Sequence, residues 1–148
     1  MEKQTVITTL HAHLEAHIAE LQTLLADTSE SVNEENKSVV GDKHETARAM
    51  AQIEQEKLAT QLDEAVQMLA LAQSLEDAQT EEKILMGSLV RTGNEWFYLS
   101  VPAGKLVVGN EEVYALSPLA PIGHLLMEKK VGESFTFNNV TRTVDEIR

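Results

Sequence analysis

The stretch Lys37-Ser38-Val39-Val40-Gly41-Asp42-Lys43-His44-Glu45-Thr46 separates two long apolar stripes, and its reading decides the fold. Before it, Leu10, Leu14, Ile18, Leu21, Leu25, Thr28 and Val32 recur at gaps of three and four, the spacing of one helix face. No Pro or Gly interrupts residues 5–32, so a single helix is predicted there. After it, Ala47, Ala51, Glu54, Leu58, Leu62, Ala65, Leu69 and Ala72 form a second stripe, with Glu54 as its one charged intrusion. Two helices of roughly 28–33 residues joined by a short Ser/Asn/Gly-containing connection pack as antiparallel neighbours, giving an arm about 40–50 Å long. Alanines on the second helix let the leucines of the first approach closely. The tip, near residues 36–45, carries two carboxylates three residues apart, Asp42 and Glu45. A helical hairpin with acids at its tip is suited to reaching into a partner.

Near Ala78-Gln79-Thr80 the pattern changes. Gly87 is followed by aromatic and β-branched residues, with strands expected at 87–91, 96–101, 105–108 and 112–116. Thr92-Gly93-Asn94, Pro102-Ala103-Gly104 and Gly109-Asn110 punctuate them as turns. Ser117-Pro118 offers an N-cap and a first helical residue, so a short helix is expected from there to Lys129-Lys130, with Gly132 beyond its end. Residues 135–137 and 141–147 read as a final hairpin around Asn138-Asn139. Helices followed by strands indicate an α+β protein in two modules. These are a coiled-coil hairpin at 1–78 and a small antiparallel β-sheet domain with one short helix at 82–148. The second is near the lower size limit for a self-sufficient core.

The 148 residues carry a formal net charge of -12. Residues 1–80 hold five Lys/Arg against fifteen Asp/Glu, a balance of -10, and residues 81–148 hold seven against nine, a balance of -2. An acidic helical half will not bind duplex DNA through its phosphates, because that affinity comes from Lys and Arg. It suits a positively charged channel or partner. The absence of cysteine excludes disulfides, thiolate metal sites and cysteine nucleophiles. No stretch is long and apolar enough to span a membrane. Met1-Glu2-Lys3-Gln4 opens without an apolar signal core, so a cytoplasmic location is expected.

Gly41-Asp42-x-x-Glu45 at the turn of such a hairpin resembles the tip of the Gre-type transcript cleavage factors of bacterial RNA polymerase. Ser117-Pro118-Leu119-Ala120-Pro121-Ile122-Gly123-His124-Leu125-Leu126, followed by Lys129-Lys130-Val131-Gly132-Glu133, resembles the signature of the FKBP-like C-terminal domain of that family. The resemblance implies a hairpin that enters the polymerase secondary channel and a C-terminal domain that docks at the channel mouth. It implies that Asp42 and Glu45 act at the 3′ end of a backtracked nascent RNA and help to hold a Mg²⁺ shared with the polymerase active site. No tightly bound cofactor is expected, and the chain is an accessory factor rather than an enzyme. Ser117, Pro118, Leu119 and Pro121 become the expected partner-binding loop. One departure is plain: where the family follows the tip acid with Asn-Ala-Glu-Tyr, this chain has Thr46-Ala47-Arg48-Ala49. Two other functional readings stand beside this one. The first is a secondary-channel regulator without cleavage activity. The second is a coiled-coil interaction protein, unrelated to polymerase, that dimerises through its helices; the chain is accordingly a monomer or a coiled-coil-mediated dimer.

From spacing alone, Asp42 followed by Glu45 also fits a capping box at the start of the second helix. His13 and His17, four apart on one helix face beside His11, have the spacing of helical metal ligands, but no His-Glu-x-x-His pattern accompanies them. Exposed helix histidines are the simpler reading. Trp96 and Phe97 are adjacent in a strand, so they face opposite sides of the sheet. Packing on both faces is expected, and partner contact by one of them is the alternative. Six aromatic residues in the whole chain are too few for a complete prolyl-isomerase pocket.

Overall fold

A computed structural model of the chain describes the backbone of residues 1–37 and 41–148 and the side chains of residues 1–30 and 45–148. Its elements are α1 (Lys3–Lys37), α2 (Gly41–Ser74), β1 (Leu89–Thr92), β2 (Glu95–Leu99), β3 (Gly104–Val108), β4 (Glu111–Leu116), α3 (Pro121–Leu126), β5 (Ser134–Phe137), β6 (Val140–Thr143) and β7 (Glu146–Ile147). The fold is α+β: a long helical hairpin, then a small, mainly antiparallel sheet domain with one short helix. Two compact units emerge, residues 14–68 and residues 1–13 with 69–148.

In residues 14–68 the seam follows a heptad. Leu21, Leu58 and Ala65 are buried, and Ile18, Leu25 and Leu62 pack against them. Fully burying a leucine contributes about 1.5–3 kcal/mol, so this short apolar list and the unbroken helices together hold the pair. On α2 the buried or half-buried positions Ala51, Gln55, Leu58, Leu62, Ala65, Leu69 and Ala72 fall at alternating gaps of four and three, with Met68 half-buried beside them. Glu54, expected in the stripe, is instead exposed, and Gln55 takes the seam position. Its Nε2 donates to Ser29 Oγ of α1 at 2.9 Å, a neutral polar layer where a carboxylate would have been left uncompensated. Thr23 and Thr28 donate their hydroxyls to the carbonyls of Ala19 and Leu24, satisfying them without leaving the helix.

In the other unit the five-stranded sheet has the order β3-β4-β2-β1-β7, and β5-β6 form a separate two-stranded sheet. The large sheet is mixed rather than purely antiparallel: β2 runs parallel to β4, with Trp96 opposite Val113 and Leu99 opposite Leu116. This follows because β3 lies at the sheet edge, leaving the place beside β2 to β4. One core combines Ile84, Val90, Phe97, Leu99, Leu126, Phe135 and Val144, so α3 and β5 cover one sheet face. The opposite face is also buried, through Leu89, Trp96, Tyr98, Leu106, Val113 and Ala115. Both aromatics of the Trp96-Phe97 pair are therefore internal. The Arg91 and Arg148 guanidinium groups lie over the Trp96 ring at 6.0 and 5.5 Å. The same unit holds the buried Val6, Ile7 and Leu10 of α1. Lys3 Nζ donates to the Ala78 carbonyl at 3.0 Å, and its burial lowers the ammonium pKa. Burial pushes the Tyr98 hydroxyl up to about 12.

The short helix is displaced from its expected place. It starts at Pro121, with Ala120 at the N-cap and no side-chain cap, and it ends at Leu126. Ser117 is not a cap: its Oγ accepts the Leu119 N–H at 3.1 Å, and its carbonyl accepts the Ala120 N–H at 3.0 Å, making a turn. Both Pro118 and Pro121 suit a first helical position, and the second is used. The 141–147 strand is likewise divided, with β6 pairing β5 and β7 pairing β1.

Candidate functional site

α2 begins at Gly41, which puts position 42 inside its first turn rather than at the cap. Position 45 follows one turn later, and residues three apart are neighbours on a helix. The Asp42 side chain lies outside the described residues. Glu45 is exposed, as are residues 46–50 after it. Acidic residues at a helix N-terminus sit at the positive end of the macrodipole, which stabilises them as anions. Two such carboxylates offer hard oxygen donors but too few ligands to hold a Mg²⁺ unaided. Among the described residues no group of three or more His, Asp or Glu side chains is arranged to hold a metal ion. His13 and His17 are exposed. His17 instead borders a shallow depression of about 210 Å³ with Gln61, Glu64, Ala65 and Met68.

Of the four residues expected to meet a partner, Ser117, Pro118 and Leu119 share one loop, and Pro121 opens α3 directly after it. Ser117 and Pro118 are half-buried, Pro121 is exposed, and Leu119 is 93% exposed. This loop is pinned from below. A Cβ on Gly123 would lie 2.1 Å from the Ser117 carbonyl oxygen, so only glycine lets α3 pass so close to the turn. The turn therefore holds a leucine out in solvent on a fixed backbone. Burying that side chain against a partner would contribute about 1.5–3 kcal/mol.

A second feature was not marked by any sequence motif. A groove of about 390 Å³ lies between the β1–β2 turn and β6, lined by residues 92–95, 140–143 and Asp145. Arg142 Nε donates to Glu95 Oε1 at 3.1 Å, and the Gly93 N–H donates to Asp145 Oδ2 at 2.6 Å. Among the described residues, the Thr92 hydroxyl and Arg142 Nη1 are buried there without a hydrogen-bond partner. Only pairing across 47 and 52 residues of sequence assembles it, which no local pattern reveals.

No family model matches the chain, and no curated protein matches it in sequence. No helix among the described residues is long and apolar enough to cross a membrane.

Proposed function

We propose that this chain is a regulator of bacterial RNA polymerase that inserts its helical hairpin in the secondary channel and promotes Mg²⁺-dependent cleavage of backtracked RNA. The observation that carries this reading is the acid pair one turn apart in the opening turns of α2, where two long helices connect. Asp42 and Glu45 are the residues that would hold the ion, with the polymerase completing its ligands. When bound there, Mg²⁺ supplies charge stabilisation at the phosphodiester and activation of water. The chain's own contribution is to bring two carboxylates to the RNA 3′ end and to fix their spacing. The -10 balance of residues 1–80 favours entry into a positively charged channel. The loop carrying Leu119 supplies the apolar contact for docking.

One observation favours a second reading, in which the channel is occupied without cleavage. Arg48 stands one turn beyond Glu45 and is exposed. A guanidinium so placed competes with Mg²⁺ for the Glu45 carboxylate. Adding the protein to stalled, backtracked elongation complexes separates the two. Shortened transcripts support cleavage, and binding with no shortening supports occupancy alone. Failure to associate with polymerase at all would sink both and leave a helical interaction protein.

A further inference from the structure

The apolar seam of the hairpin thins towards its tip. Its large side chains are Ile18, Leu21 and Leu25 on α1 and Leu58 and Leu62 on α2. Tipward of Leu58, the half-buried positions of α2 among the described residues are Gln55 and Ala51, and residues 45–50 are exposed. The two large apolar residues of that stretch turn outward instead, Met50 at 66% and Ile53 at 65% exposed. Apolar contacts are non-directional, and a seam of small and polar residues does not select one axial position of α2 against α1 by packing. A directional contact does. At this level Gln55 Nε2 donates to Ser29 Oγ at 2.9 Å, between residues 26 apart in sequence. Moving Gln55 one turn towards Leu25, about 5.4 Å, would break that bond and set its amide against leucine, half-buried and unpaired.

We propose that Gln55 is a positioning residue: its bond to Ser29 fixes the register of α2 against α1, and with it the place of Asp42 and Glu45 at the tip. A single polar residue in an otherwise apolar seam specifies register in this way, at some cost in stability. Glu45 lies ten residues and Asp42 thirteen residues tipward of Gln55, about 15 and 20 Å along the helix. No Gly or Pro follows Gly41 within α2, so a displacement at Gln55 is carried to the acids by an unbroken helix. Chemistry by two carboxylates is sensitive to such a displacement, since misplacing a reacting group by about 1 Å costs on the order of a hundredfold in rate. The inference rests on the acid-pair reading of the tip, but the register it assigns to Gln55 is measurable without polymerase.

The test pairs a structural readout with a kinetic one, both on the full chain. The sequence has no cysteine, so nitroxide labels on Glu20→Cys and Met50→Cys, exposed sites on the two helices, report the register by double electron–electron resonance. The labelled protein should give one narrow distance distribution. Gln55→Leu and Ser29→Ala should each broaden it or add a second distance about 5 Å away, while Ser29→Thr, which keeps the hydroxyl, should not. Transcript shortening in backtracked polymerase complexes is then measured with the unlabelled proteins. Gln55→Leu should lower the rate at saturating protein about tenfold or more, with the half-saturating concentration unchanged, and Ser29→Thr should cleave as the wild type does. Circular dichroism on each variant separates loss of register from loss of helix, and Ser29→Ala replaces Gln55→Leu in the kinetics if the latter fails to fold. If the wild-type protein shortens no transcript, the reading of the tip fails, and the distances alone decide the register. One narrow, unshifted distance in both Gln55→Leu and Ser29→Ala overturns the proposal. So does wild-type cleavage by a Gln55→Leu protein whose register has broadened.

Discussion

Tyr98→Phe should stabilise this protein, although it alters one of the most deeply buried side chains. Tyr98 is 1% exposed, and its hydroxyl has no hydrogen-bond partner among the described residues. An unpaired buried hydroxyl costs about 1–3 kcal/mol of desolvation that phenylalanine does not incur. The void left by one oxygen offsets part of that gain, so a net stabilisation of about 1 kcal/mol at pH 7 is expected. The pH dependence provides a second, independent reading. Burial raises the folded-state hydroxyl to about 12 from the usual 10.0. Below pH 10 the phenol is neutral in both states and the difference contributes nothing to the slope. Between pH 10 and 12 the unfolded chain loses the proton first, so stability falls as pH rises, by at most about 1.4 kcal/mol per unit. Urea unfolding followed by circular dichroism at pH 7, 10 and 11 measures both effects. The variant should have the higher midpoint at pH 7, and the margin should widen towards pH 11. Destabilisation by more than about 1 kcal/mol at pH 7 would refute the reasoning, because it would show that the hydroxyl is satisfied within the fold.

Gln55→Leu replaces a polar seam residue by an apolar one and should raise the thermal stability of the helical hairpin by about 1 kcal/mol; a fall would show that the bond to Ser29 outweighs leucine packing. Gly123→Ala drives a methyl group into the Ser117 carbonyl and should cost about 2 kcal/mol or more in urea unfolding, whereas an unchanged midpoint would contradict the close approach at the turn. Leu119→Ser should leave stability within about 0.5 kcal/mol, since the side chain is exposed. The same variant should weaken polymerase binding about tenfold or more, and equal affinity in a pull-down titration would remove this loop from the docking surface.

The hairpin was legible because its leucines keep heptad gaps through Leu14, Ile18, Leu21 and Leu25 with no breaker between them. The error at Glu54 has a simple cause. Gaps of three then four, or four then three, both lead from Ala51 to Leu58, so the choice between Glu54 and Gln55 rests on the facing helix, where Ser29 selects Gln55. The strands were legible from their turns, but the parallel pairing of β2 with β4 was not, because neighbouring strands in sequence need not be neighbours in the sheet. Two prolines three residues apart each fitted the helix start, and only the Ser117 turn distinguishes them. Of the candidate site, the Leu119 loop was marked in sequence by Ser117-Pro118, and Leu119 is the most exposed large apolar side chain among the described residues. The β6 groove was invisible, being made by partners 47 and 52 residues apart.

The most direct test of the central claim is the Mg²⁺ dependence of transcript shortening in backtracked polymerase complexes, compared between this protein and its Asp42→Asn and Glu45→Gln variants. Each variant keeps the size of its side chain and removes one charge from the pair. If the two carboxylates bring Mg²⁺ to the RNA 3′ end, each variant should need a markedly higher Mg²⁺ concentration for half-maximal cleavage while still competing with the wild-type protein for polymerase. Identical Mg²⁺ curves for all three proteins, or no shortening by any of them, would contradict the account.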